Sequence, residues 1–187
     1  TNLLTRNITT SGAGITLEYD SRVNFFSPTN GLKYELNYLW FDESIGSDVD
    51  YHLIELTALH YFKLSKQWRT AFRIEANYAN SDGFLPPYAT PSISMRGIPA
   101  ARYQGQSVAM SELELIYKIN FRWEVNAFAG IGKATNEFSE FSASPSRVSK
   151  GAGFRYLIAR RYGFNMGVDI AQGPEDTVIY IQAGSAW

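Results

Sequence analysis

Glu112 and Glu114 stand two residues apart in the stretch Ser111-Glu112-Leu113-Glu114-Leu115. In an extended backbone both carboxylates share one face, close enough to shift each other's protonation. Paired carboxylates can do acid–base work, but the remaining parts of a catalytic site are missing. There is no Ser-His-Asp constellation, and the two histidines, His52 and His60, lie elsewhere. Eight residues of strand separate them by about 27 Å, too far to share a metal ion. Asp42, Glu43, Asp48 and Asp50 form an acidic run without the ligand order of a calcium loop, and read as a solvated loop. The sequence therefore assigns no catalytic residue, no metal site and no cofactor; the charges fit an ionic ladder between strands. The remaining candidate is Arg96, within Met95-Arg96-Gly97-Ile98. It sits in the longest stretch without a strand pattern, residues 81–106, which holds four of the seven prolines. A long loop in an all-β chain is usually functional.

The elements around these residues alternate in hydropathy with period two. Nine such segments can be drawn: 12–22, 31–41, 51–64, 67–80, 107–119, 122–134, 147–160, 162–172 and 177–187. The segment 67–80 is the cleanest, with Trp68, Thr70, Phe72, Ile74, Ala76 and Tyr78 opposing Gln67, Arg69, Arg73, Glu75 and Asn77. Residues 1–11 are polar and weakly patterned, a tail or a poor strand, so the domain proper is 12–187. Polar faces carry charges of both signs at mid-strand (Glu35, Arg73, Glu75, Glu114, Arg155, Asp169). From the third connection to the seventh, short turns alternate with longer loops, which a soluble sandwich has no reason to do. That asymmetry marks a transmembrane β-barrel, with short periplasmic turns and long external loops. The expected fold is thus all-β: an antiparallel transmembrane barrel of 8–10 strands. Single-chain bacterial barrels have even strand counts, so a count of nine calls for a tenth strand from residues 1–11, one strand fewer, or a second chain.

Composition is compatible with this. Aromatic residues make up 15% of the chain, many near segment ends, where interfacial girdles form. Mean hydropathy is −0.21, and no apolar run approaches the roughly 20 residues of a membrane helix. A barrel does not need one, because only alternate residues face lipid. The net charge of −1 argues against nucleic acid as a partner, and the lack of cysteine excludes a disulfide scaffold and thiolate metal sites. No segment of the sequence reads as a signal peptide.

On these residues the chain resembles the BamA/TamA type of outer-membrane barrel, the bacterial surface antigen domain. Tyr19-Asp20-Ser21-Arg22 followed by Pro28-Thr29-Asn30-Gly31 is similar to that family's Y-D-x-R…P-x-x-G strand and turn. Met95-Arg96-Gly97-Ile98 is similar to its V-R-G-F/Y loop motif, and Ser111–Leu115 to its glutamate-bearing strand. Gly151-Ala152-Gly153-Phe154-Arg155 matches G-x-G-x-R. Gly167–Ala171 and Gly184-Ser185-Ala186-Trp187 resemble the closing strands. The resemblance runs from about residue 12 to 187.

It implies that the loop 81–106 folds back into the lumen and that Arg96 pairs with acidic residues there. One partner matches Glu114. The second belongs to an F-x-D-x-G stretch that here is Phe128-Ala129-Gly130-Ile131-Gly132, with Gly130 where the aspartate should be. Glu112, Glu124 and Asp169 are the alternatives. Trp187 reads as a carboxy-terminal aromatic membrane signal at the interface, with a buried edge-strand tryptophan as the other option. Arg160-Arg161 reads as a solvated periplasmic turn or a contact with lipid headgroups. Family members that insert or translocate proteins are larger, with periplasmic modules. The chain therefore corresponds either to a carboxy-terminal piece or to a short member closing alone or as a homo-oligomer. The implied setting is the outer membrane of a Gram-negative bacterium, with the lipid bilayer and unfolded outer-membrane proteins as partners. The implied role is assembly or translocation of those proteins; the competing reading is a small passive or structural barrel, a minor pore.

Overall fold

Period-two alternation commits each segment to an extended backbone with one apolar and one polar face. In the computed structural model, which describes residues 8–81, 83 and 85–187, all nine segments are strands. They are β1 (Gly12–Asp20), β2 (Gly31–Phe41), β3 (Tyr51–Lys63), β4 (Trp68–Asn80) and β5 (Ser107–Lys118). β6 (Trp123–Thr135), β7 (Arg147–Ala159), β8 (Phe164–Gln172) and β9 (Thr177–Ala183) follow. They form one nine-stranded antiparallel meander in chain order. Residues 1–7, most of the stretch expected to be a tail or weak strand, lie outside the described residues.

The faces are inverted relative to a soluble protein. Leu113 is 52% exposed, whereas its neighbours Glu112 and Glu114 are 1% and 5% exposed. The outer face carries Leu, Ile, Phe and Trp in a continuous band; the inner face buries Asn126, Ser149, Arg155 and Asp169. A sheet with its apolar side outward is stable only against lipid. Aromatic residues gather near the strand ends. Tyr34 bonds His60 at 2.7 Å, and Tyr38 bonds His52 at 2.9 Å, so each histidine serves its own girdle tyrosine.

Glycines opposite bulky residues make the wall smooth inside. Cross-strand partners include Glu112–Gly130, Phe128–Gly151, Gly153–Asp169 and Arg155–Gly167. In each pair the glycine gives its partner the space to lie flat along the wall. A Cβ on Gly130 would meet Glu112 Cγ at 2.7 Å, and one on Gly167 would meet Arg155 Cδ at 2.9 Å.

Among the described residues no ladder joins β1 to β9. The curl is instead fixed at the short-turn mouth. There Ser185 N donates to Phe26 O at 2.6 Å, Asn165 Nδ2 to Ser27 Oγ at 3.2 Å, and the rings of Phe26 and Phe164 meet edge-on at 5.7 Å. The connection 21–30 thus crosses from β2 to the β7–β8 end.

The carboxy-terminal reading needs one correction. β9 stops at Ala183, and Gly184, at φ +84°, turns the chain inward. Trp187 accordingly packs on Leu59, Tyr61 and Ala71 and donates Nε1–H to Glu112 at 3.1 Å. It is a lumen residue, not an interfacial anchor, because the indole N–H finds a carboxylate there that lipid cannot supply.

Leu113→Arg, at the middle of β5 on the outer face, should destabilise the folded protein in lipid vesicles by about 2–4 kcal/mol. Denaturant unfolding in vesicles, read on heat-modifiable gel mobility, measures it; a neutral result would mean that this face does not meet lipid.

Candidate functional site in the lumen

The loop 81–106 is positioned by its own backbone before any side chain acts. Ser92 and Gln104 form an antiparallel bridge, Ile93 N donates to Tyr103 O at 2.9 Å, and Gly105 N to Pro91 O at 3.1 Å. The two limbs therefore run as a hairpin whose tip is Met95–Arg102. At the tip, Ile98 N donates to Met95 O at 3.1 Å, and Gly97 has φ +85°. That is a turn needing positive φ at its third residue, which glycine supplies without strain. Arg96 is the second residue and points into the lumen.

Apolar packing seats the hairpin. Ile93, Met95 and Ile98 form a buried cluster with Val108 and Met110 of β5. Met95 Sδ would lie 2.9 Å from a Cβ on Gly130, so the position where an aspartate was expected is covered by the loop itself. Arg73 Nη2 donates to Ser94 O at 2.9 Å while its Nη1 reaches Glu112 at 2.9 Å. On the far side, Gly97 N donates to Tyr180 Oη at 2.9 Å, and the Gly97 backbone lies directly on Gly173.

Arg96 is 7% exposed and is caged by residues from three strands. Nη2 donates to Glu114 and Nη1 to Asp169, both at 3.0 Å. Nε faces Glu112 Oε1 at 3.6 Å, an ion pair without a hydrogen bond. The guanidinium carbon lies 3.5 Å above the Phe128 ring and 5.3 Å from Trp187. Asp169 is held in turn by both guanidinium nitrogens of Arg155, at 2.6 and 2.8 Å. Asn126 Nδ2 bridges Glu114 at 2.8 Å and Asp169 at 3.3 Å.

Of the acidic candidates the structure thus brings Glu114, Asp169 and Glu112 to Arg96, and not Glu124. Glu124, the second residue of β6 near the short-turn mouth, forms a bidentate pair with Arg69, both bonds at 2.7 Å. Sequence reasoning passed over Arg73, Asn126, Phe128 and Arg155 as site residues. Arg155 had a signal, since G-x-G-x-R places small residues where an opposing carboxylate must fit. The acidic run is used locally: Asp42 accepts from Ser44 N, Asp48 from Thr9 N and Asp50 from Glu43 N. Among the described residues no group of carboxylates and histidines is arranged to hold a metal ion.

A second contact fastens the loop at its outer end. Arg102 Nε donates to both Glu175 oxygens at 3.0 Å, and Tyr103 Oη donates to Glu175 at 2.7 Å. Arg147 covers the Tyr103 ring at 4.4 Å. The Tyr103 and Arg102 hydrogen bonds hold the Glu175 carboxyl below its ordinary range.

Two outcomes follow from this geometry. Arg96→Ala leaves buried carboxylates without their counter-ion and should cost about 3–5 kcal/mol. It should also expose residues 81–106 to trypsin at Arg102; unchanged unfolding and protection would show the cage does not hold the loop. At the outer contact a lowered carboxyl pKa means the stabilisation is complete above the ordinary glutamate range and lost as pH falls through the lowered value. Amide protection of 99–106, corrected for the intrinsic exchange rate at each pH, should therefore fall on acidification in wild type and be low at all pH in Glu175→Gln.

Comparison with known proteins agrees with this architecture. Residues 2–178 match the Omp85 superfamily domain. Among solved structures, the chain is similar to BamA from Haemophilus ducreyi lacking POTRA domains 1-3. The TM-score is 0.71 at 16% identity, over 92% of this chain and 41% of that one. This chain therefore spans well under half of that protein, and at such identity the likeness speaks to the fold. No curated protein matches the chain. With nearly its whole length matched, the chain belongs to the Omp85 superfamily, outer-membrane proteins of Gram-negative bacteria, and its fold is that of a BamA-type β-barrel.

Proposed function

We propose that this chain forms the membrane part of a machine that assembles or exports outer-membrane proteins, with Arg96 locking the loop 81–106 in one position inside the lumen. The observation that carries this reading is the seating of Arg96 between Glu114 and Asp169 in a chain of this superfamily. Apolar packing alone would hold a passive plug. A buried ionic cage adds little net stability over apolar packing, and its best-attested use is to specify one arrangement. Glu112 and Glu114 have no catalytic part in this reading: Arg73 and Trp187 donate to Glu112 Oε2, Glu112 Oε1 faces the Arg96 guanidinium, and Arg96 and Asn126 donate to the two oxygens of Glu114. The partners are the bilayer and unfolded outer-membrane protein clients. Neither the family match nor the structural likeness supports the homo-oligomer that an odd strand count suggested.

The competing reading, a minor pore, sits poorly with the lumen. The hairpin tip fills its middle, and residues 184–187 rise into it from the short-turn mouth, with Tyr61 Oη bonded to Trp187 O at 2.8 Å.

Vesicles containing the chain should fold an added unfolded outer-membrane protein several-fold faster than empty vesicles, and Arg96→Ala should lose most of the gain. Equal folding rates with and without the chain, together with steady ion conductance, would establish the passive pore instead.

A further inference from the structure

The overall charge of −1 conceals a separation of charge between the two mouths. Three connections at one mouth are short: 64–67, 119–122 and 160–163. On them lie Lys66, Arg122, Arg160 and Arg161, while Lys63 and Lys118 at their edges are on the lumen face, cross-strand from Arg69 and Glu124. Among the described residues none of these four turn cations is in an ion pair, while each carboxylate at that mouth already has a partner. Asp20 pairs with Arg22, Glu18 with Lys33 and Glu124 with Arg69. The opposite mouth has the reverse balance, with Asp42, Glu43, Asp48 and Asp50 on one loop and Glu137 and Glu140 on another.

The height of these cations decides what they meet. Trp68 and Trp123 begin β4 and β6 directly after two of the turns and face outward, 41% and 42% exposed. Outward tryptophans at strand ends mark the boundary of the hydrocarbon. Lys66 and Arg122 lie two and one residues from them in chain, and Arg160 sits over Phe121, two residues before Trp123, with Arg161 next to it, so these cations are within about 10 Å of that boundary along the strand axis at ~3.4 Å per residue. That is the depth of lipid phosphates. The turns also present exposed aromatic rings: Phe121 (59% exposed) under Arg160 at 4.8 Å and Arg122 at 5.4 Å, and Tyr162 (62% exposed) near Arg161 at 6.0 Å. A cation held over an aromatic ring at the interface keeps its N–H groups free for a phosphate. Turns this short do not project far enough to offer the cations to a soluble protein before lipid reaches them.

We propose that this rim binds anionic phospholipid headgroups of the leaflet at the short-turn mouth, gathering acidic lipid around β3 to β8. The inference rests on the outer-membrane barrel and is independent of any assembly activity.

Trp68 and Trp123 are built-in reporters. The full chain is placed in mixed micelles containing phosphatidylglycerol or phosphatidylcholine with dibrominated acyl chains, and tryptophan quenching gives the relative affinity of the two. Phosphatidylglycerol should be preferred by about five-fold, the factor for one near-surface cation per headgroup. The preference should vanish in about 1 M salt, where the screening length falls to about 3 Å. It should also vanish in a K66Q/R122Q/R160Q/R161Q variant that retains heat-modifiable mobility, and persist in K133Q/K150Q at the other mouth. Equal quenching by the two lipids in wild type overturns the proposal, with no variant needed, as does a preference that survives in the quadruple variant. Binding of poly-glutamate to the wild-type chain without a phosphatidylglycerol preference would assign the rim to an acidic protein partner and likewise overturn it.

Discussion

A guanidinium cannot shed its charge inside a protein, so a buried arginine dictates its surroundings. Arg96 sets that condition at the centre of this barrel, and much of the inner wall answers it. Glu112 and Glu114 come from β5, Asp169 from β8, and the ring beneath from β6. No flat sheet brings β5 and β8 to one side chain, so the cage and the curvature of the sheet require each other. Arg155 then balances Asp169, and Arg73 balances Glu112 while also holding the loop backbone at Ser94. The network therefore couples loop position to the shape of the wall across five strands.

The wall accommodates these long side chains by leaving their cross-strand partners bare. Gly130, Gly151, Gly153 and Gly167 lie opposite Glu112, Phe128, Asp169 and Arg155. Glycine weakens a strand on its own, yet here each supplies volume that a charged or aromatic neighbour uses. The strands near the cage tolerate that weakness because the side chains lying over the glycines cross-link neighbouring strands. Gly97 and Gly173 act on the same principle between loop and turn, where two backbones touch with nothing between them.

The strands were legible because lipid on one side and a polar lumen on the other enforce alternation over most of each segment; β3 is the exception, where Leu59 and Tyr61 are apolar on the inner face. The tip of the loop was legible through its resemblance, and Glu114 through its place on the following strand. The choice among Glu112, Glu124 and Asp169 was not, since it depends on stagger around a curved wall, and sequence spacing carries no such information. Gly130 looked like a missing acid; the structure shows the space used by Met95 and the charge supplied from β8 instead. Trp187 was misread because alternation was carried through Gly184, where a single left-handed residue takes the last residues off the β9 face.

The clamp between the connection 21–30 and the end of β8 has a mechanical consequence. It lies at one mouth only, while among the described residues no ladder joins β1 to β9 along their length. A sheet pinned at one rim and free along its margins behaves as a sprung cone with its fulcrum at that rim. Any parting of the margins opens as a wedge, narrowest at Phe26 and Phe164 and widest at the long loops, with the least leverage where the pin sits.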